Sequence, residues 1–146
     1  MQGWRSHNED AHITALEFEP GHSIFAVFDG HGGAEVAKFC EKHLIHELKT
    51  DNDFKQKNYE QALRNVFLKI DKMLLTEQGK QELKRYTLSP GQGVSGDIAF
   101  TAGCTANVIL VTQTHIYCGN AGDARGVLCE KGKSLDLSKD HKPDLP

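Results

Sequence analysis

The chain has 146 residues, a net charge of −3 and 38% apolar residues, a size and balance that fit one soluble domain with its own core. So little charge leaves no broad electrostatic footprint for nucleic acid, and no acidic or basic tail points to a polyionic partner. The longest apolar runs, residues 24–28 and 108–111, fall far short of the roughly 20 residues of a membrane-spanning helix.

The opening Met1-Gln2-Gly3-Trp4-Arg5 contains no apolar signal core, and Gln2 does not fit N-myristoylation. The expectation is an intracellular protein, cytoplasmic or nuclear, and a monomer. Arg5 is followed by the adjacent carboxylates Glu9 and Asp10. In an extended segment these two point to opposite faces, so at most one faces a given site directly while the other acts from behind or through water. The plainer alternative is a solvated acidic edge.

Residues 24–28, Ile-Phe-Ala-Val-Phe, read as a strand covered on both faces, running into the sharp turn Asp29-Gly30-His31-Gly32-Gly33. Asp29 is a hard oxygen ligand, and a carbonyl oxygen from Gly30 would complete a site of the kind magnesium or manganese takes. His31 is a candidate general acid, since imidazole titrates near neutrality. The alternative is that the glycines only permit the turn.

Residues 34–49 carry Val36, Ala37, Cys40, Leu44 and Leu48 at helical spacing, which predicts an amphipathic helix. After the break at residues 50–53, Asn58 and Gln61 resemble a capping box opening a second helix that runs to Gln78. Both helices would bury their apolar stripes against a sheet. Residues 79–101 lose periodicity and read as a long loop, with Ser89-Pro90-Gly91-Gln92-Gly93 and Ser95-Gly96-Asp97 as its turn chemistry.

Short strands follow over residues 106–112, 115–120 and 125–129, with turns at Gln113-Thr114 and Lys131-Gly132-Lys133. Helices and strands in separate blocks indicate an α+β fold. A third acid, Asp123, ends a strand within Gly119-Asn120-Ala121-Gly122-Asp123-Ala124-Arg125, where a plain hairpin turn is the competing reading. His43 and His46 lie among charged residues that predict a solvated helix face, and His141 reads as a turn residue. Cys40, Cys104, Cys118 and Cys129 form no C-x-x-C pair and are expected to be reduced, half-buried thiols.

Together these segments resemble the metal-dependent serine/threonine protein phosphatases of the type 2C, or PPM, family. Four ordered blocks carry the match: Gln2-Gly3-Trp4-Arg5 with Glu9-Asp10-Ala11-His12; Val27-Phe28-Asp29-Gly30-His31-Gly32-Gly33; Gly103-Cys104-Thr105-Ala106 leading to residues 119–125; and Leu137-Ser138-Lys139-Asp140-His141-Lys142-Pro143. The resemblance implies a four-layer α-β-β-α sandwich, two antiparallel sheets flanked by helices, with a two-cation Mg2+ or Mn2+ centre at one end. It implies that Asp29 bridges the cations, that Glu9 and the Gly30 carbonyl bind one of them, and that Asp10 stands behind. Asp123 matches the acid associated with a third, weaker metal, Arg5 the phosphate-binding arginine and His31 the general acid. The implied partners are phosphorylated protein substrates.

The pattern also departs from the family. Residues 1–146 correspond to an incomplete phosphatase domain, without a later Asp-Gly-x-x-Asp block and a final Asp-Asn pair, so activity of these residues alone is not expected. Two alternatives remain: a non-catalytic relative that binds metal or phosphoproteins, and a dinucleotide-binding fold. The second is weakened by Glu35, which stands where the third glycine of that fingerprint belongs and would repel a pyrophosphate.

Overall fold

The computed structural model describes residues 2–87 and 98–144, without the side chains of residues 99 and 100. β1 (Ala11–Glu19), β2 (His22–Phe28) and the short β3 (Gly30–His31) open the chain. Helices α1 (Glu35–Thr50), α2 (Asn52–Lys55), α3 (Tyr59–Leu74), α4 (Glu77–Tyr86) and α5 (Ile98–Thr101) follow. The remainder is β4 (Gly103–Cys104), β5 (Ala106–Val111), β6 (Ile116–Ala121), β7 (Val127–Glu130) and β8 (Lys133–Asp136).

The main sheet has the order β1-β2-β5-β6, and β3–β4 and β7–β8 form two-stranded sheets. Every described pairing is antiparallel. The strand, glycine turn and helix around Asp29 therefore do not open a parallel βαβ unit, and the dinucleotide-binding alternative fails on topology. The α+β fold with antiparallel sheets and flanking helices stands.

Period-two alternation sends Ile13, Ile24, Ala26, Phe28, Val108 and Leu110 to one buried face. α1 covers that face with Ala37, Phe39, Leu44 and Leu48, and α3 adds Ala62, Leu63, Val66 and Ile70. The expectation that residues 24–28 are buried on both faces is corrected: Val27 is 48% exposed and Leu16, on the same side of β1, 73%. Among the described residues, α1 and α3 pack on one face of the sheet. On the opposite face Asn107 is buried, donating from Nδ2 to Asn120 Oδ1 at 2.8 Å and to Ser138 Oγ at 3.1 Å.

Helix boundaries follow local hydrogen-bonding chemistry. α1 stops where Asp51 turns extended, and its carboxylate accepts the Asp53 and Phe54 N–H groups to start α2. Asn58 does not form the expected capping box, because its amide donates to Asp53 Oδ1 at 2.9 Å while Gln61 turns to Asn65. Nor does the second helix run unbroken to Gln78. α3 ends at Leu74, and extended Thr76 caps α4 by accepting the Gly79 N–H at 3.0 Å. α4 then occupies part of the expected loop, whose stretch at residues 89–97 lies outside the described residues.

His43 is also not simply solvated. It is half-buried, with Nε2 at 3.0 Å from both Glu82 carboxylate oxygens, while Lys42 Nζ and Tyr86 Oη donate to Glu82 Oε1 at 2.6 Å each. Burial opposes ionisation of Glu82, but the hydrogen bonds from Lys42, Tyr86 and His43 outweigh it and hold the carboxyl at about 2. A depressed carboxyl stabilises the fold above its ordinary value of 4.5, and that contribution is lost as pH falls toward 2. Glu82→Gln is therefore expected to melt a few degrees lower at pH 7, with the gap from the parent closing as thermal melts move from pH 5 toward pH 2.

Candidate functional site

Strand register builds the site. Ala11 pairs with Phe28, so one step beyond that pair Asp10 stands beside Asp29 at the same end of the sheet. On the other side of β2, Thr105 N donates to Asp29 O at 2.9 Å, and Asp29 N donates to Thr105 Oγ1 at 3.2 Å. Ala106 pairs with Ala121, which brings the turn carrying Gly122 and Asp123 to that end as well. Four strand termini thus converge.

Two glycines make the close approaches possible. A Cβ on Gly30 would run into the Glu9 carbonyl oxygen, so a side chain there would push the N-terminal segment off the turn. A Cβ on Gly103 would sit 2.6 Å from His31 Nε2. The β3–β4 pairing sets His31 against Gly103, and the bare glycine leaves room for the imidazole.

Although Asp29 is exposed as a residue, its carboxyl is raised above the ordinary 3.8. Partial desolvation comes first, followed by the negative charges of Asp10 and Asp123 and a hydrogen bond with Asp10; His31 works in the opposite direction. Two carboxylates raise Asp29, and the His31 imidazole opposes them only in part. Asp123 receives no help from its neighbour Arg125, whose Nε donates to Asp140 Oδ1 at 2.8 Å.

The sequence-predicted residues divide on this geometry. Asp10, Asp29 and Asp123 come together, with Gly30 and His31 adjoining them. Glu9 meets Gly30 through its backbone. Arg5 lies in an exposed turn, its N–H donating to Gln2 O at 3.2 Å, and makes no ion pair among the described residues. By sequence Thr105 stands only within a quoted block and His141 reads as a turn residue. Thr105 clamps the Asp29 backbone, and His141 fastens the Asp123 turn, with its N–H donating to Gly122 O at 2.9 Å and its Nδ1 accepting from Gly122 N at 3.3 Å. Both lie in quoted blocks, but only the folded chain brings them to their partners.

Among the described residues no three His, Cys, Asp or Glu side chains already form a cation cage. The donor chemistry nonetheless fits a hard divalent ion. Carboxylate oxygens repel one another around Asp29, and the open Gly30 backbone adjoins them.

The family model for protein phosphatase 2C matches residues 1–146. This chain belongs to the protein phosphatase 2C family. Among curated relatives it is 53% identical over 144 residues to "Probable protein phosphatase 2C 6" of Paramecium tetraurelia, covering 99% of this chain and 47% of that protein. It is 35% identical over 174 residues to "Probable protein phosphatase 2C 21" of Arabidopsis thaliana, covering 99% of this chain and 49% of that one. The chain spans about half the length of the curated phosphatase 2C relatives it matches. A solved serine-threonine phosphatase 2C from Toxoplasma gondii superposes with a TM-score of 0.67 at 20% identity, over 97% of this chain and 48% of that one. A bacterial serine phosphatase bearing an R161A mutation gives 0.69 at 22% identity, over 94% and 57% of the two chains. These two likenesses establish the shared fold. Among the described residues no helix is long and apolar enough to cross a membrane.

Proposed function

We propose that this family member takes part in hydrolysing phosphoserine and phosphothreonine in proteins at a two-cation Mg2+ or Mn2+ centre, residues 1–146 forming the N-terminal part of its domain. The observation that carries the reading is the convergence of Asp10, Asp29 and Asp123 at one sheet end, beside Gly30 and His31. Asp29 would bridge the cations, Glu9 and the Gly30 carbonyl would hold one of them, Asp10 would support from behind, and Asp123 would serve a third, weaker ion. When bound, such ions polarise the phosphate and make an attacking water more acidic.

The chain's own groups divide the remaining work. Arg5, exposed and without an ion pair among the described residues, is free to pair bidentately with two phosphate oxygens. His31 donates an imidazole proton to the serine or threonine oxygen as it leaves, a role worth about 10²- to 10⁴-fold in rate. No nucleophilic side chain is required.

The test is turnover of phosphothreonine peptides by the full-length protein with Mn2+ and with chelator. Arg5→Ala is expected to raise KM about tenfold or more, as loss of a charge-assisted phosphate contact should. An unchanged KM would remove Arg5 from the site. The second reading is a non-catalytic relative that binds metal or phosphoproteins. Peptide binding that is indifferent to Mn2+ and never followed by phosphate release would decide for it.

A further inference from the structure

The sulfurs of Cys40 and Cys104 lie 3.7 Å apart, though 64 positions separate them in sequence. Cys40 is 6% exposed on α1, and Cys104 is half-buried on β4. Both border a cleft of about 500 Å³ that also touches His31, Leu68, Asp71 and Ala121. Cys118 and Cys129 take no part in this contact: Cys118 faces Asn107 and Cys129 is exposed.

We infer that Cys40 and Cys104 form a modification site: a dithiol that hydrogen peroxide reaching the cleft oxidises to a disulfide tying α1 to β4. Closing the contact to a bond of about 2.05 Å requires roughly 1.7 Å of approach, within reach of side-chain rotation and a small strand shift. Cys104, the more accessible thiol, attacks one peroxide oxygen. The O–O bond breaks, one water leaves and Cys104 becomes a sulfenic acid. The Cys40 sulfur then attacks the Cys104 sulfur, the S–O bond breaks, and the hydroxyl departs with the thiol proton as a second water. Two thiols lose two electrons and the peroxide gains them.

The tie lies directly under the candidate site. Cys104 pairs with Gly30, and its neighbour Gly103 pairs with His31. Drawing β4 toward α1 therefore pulls on the strand pair that carries both. The chemistry itself is independent of the proposed phosphatase role and is tested without an activity assay.

The folded full chain is treated with hydrogen peroxide, its remaining thiols are blocked, and its peptides are mapped by mass spectrometry with and without a reducing agent. The expected product is a single intramolecular Cys40–Cys104 linkage that the reductant reverses. It should persist in Cys129→Ser and be absent from Cys104→Ser and from Cys40→Ala, the latter chosen to respect the buried site. Because each of the two variants removes the linkage from a different element, misfolding of one leaves the other decisive. Sulfinic acid accumulating on Cys104 while Cys40 remains a free thiol would overturn the inference. So would cross-links formed only through Cys118 or Cys129.

Discussion

Asp29→Asn is expected to lower phosphopeptide turnover by about a thousandfold or more, or about 4 kcal/mol, while making the metal-free protein more stable. The two effects have one origin. Asp29 sits where desolvation, Asp10 and Asp123 all raise its carboxyl above 3.8, so the ionised form is less welcome in the folded state than in the unfolded chain. A raised carboxyl penalises the fold above its folded pKa, and the penalty disappears as pH falls through that value toward 3.8. In chelator at pH 7 the Asn variant should melt above the parent, and the gap should narrow at acid pH. Mn2+ should reverse the order by stabilising the parent alone. A variant that keeps turnover, or that melts lower in chelator at pH 7, would contradict this view of the site.

Phe28→Ala is expected to cost about 3–5 kcal/mol, because a fully buried aromatic leaves both lost transfer energy and a cavity. Phe28 is 1% exposed, at the last position of β2 against α1, and immediately precedes Asp29. For a domain of this size that loss should lower the melting temperature by about 10 °C or more. Val27→Ala, one residue away but 48% exposed within residues 1–146, should cost less, because no described helix covers it. Urea unfolding of both variants checks the contrast; equal losses would mean that the sheet has two equally buried faces.

That contrast marks a limit of sequence reading. Five apolar residues in a row identify a strand but not which side is covered, since that depends on where the helices pack. α1 was legible almost to its ends because Val36, Cys40, Leu44 and Leu48 repeat at helical spacing over sixteen residues. β1 was not legible as a strand: His12, Thr14, Glu17 and Glu19 give it the look of a polar edge. The α3–α4 break was missed because the apolar stripe suits a continuous helix, whereas one Thr76 hydroxyl offers the backbone a new start.

For the site, residue types were legible and their meeting was not. Asp29, Gly30 and His31 stand together in sequence, but Asp10 reaches Asp29 through the β1–β2 register and Asp123 through two further strands. Thr105 illustrates the gap best. Its role is a pair of backbone hydrogen bonds to a residue 76 positions away, a relation that no local pattern encodes. The Cys40–Cys104 contact is hidden for the same reason: the two cysteines stand 64 positions apart and meet only when the helix and strand are packed.

Divalent-cation binding through Asp29 at this sheet end, as proposed above, is tested most simply by direct Mn2+ binding. Free Mn2+ is measured by electron paramagnetic resonance while the full-length protein and its Asp29→Asn variant are titrated. Mn2+ uptake by the parent, with affinity weakened at least about tenfold in the variant, is the expected result. Equal uptake by the two proteins would contradict it.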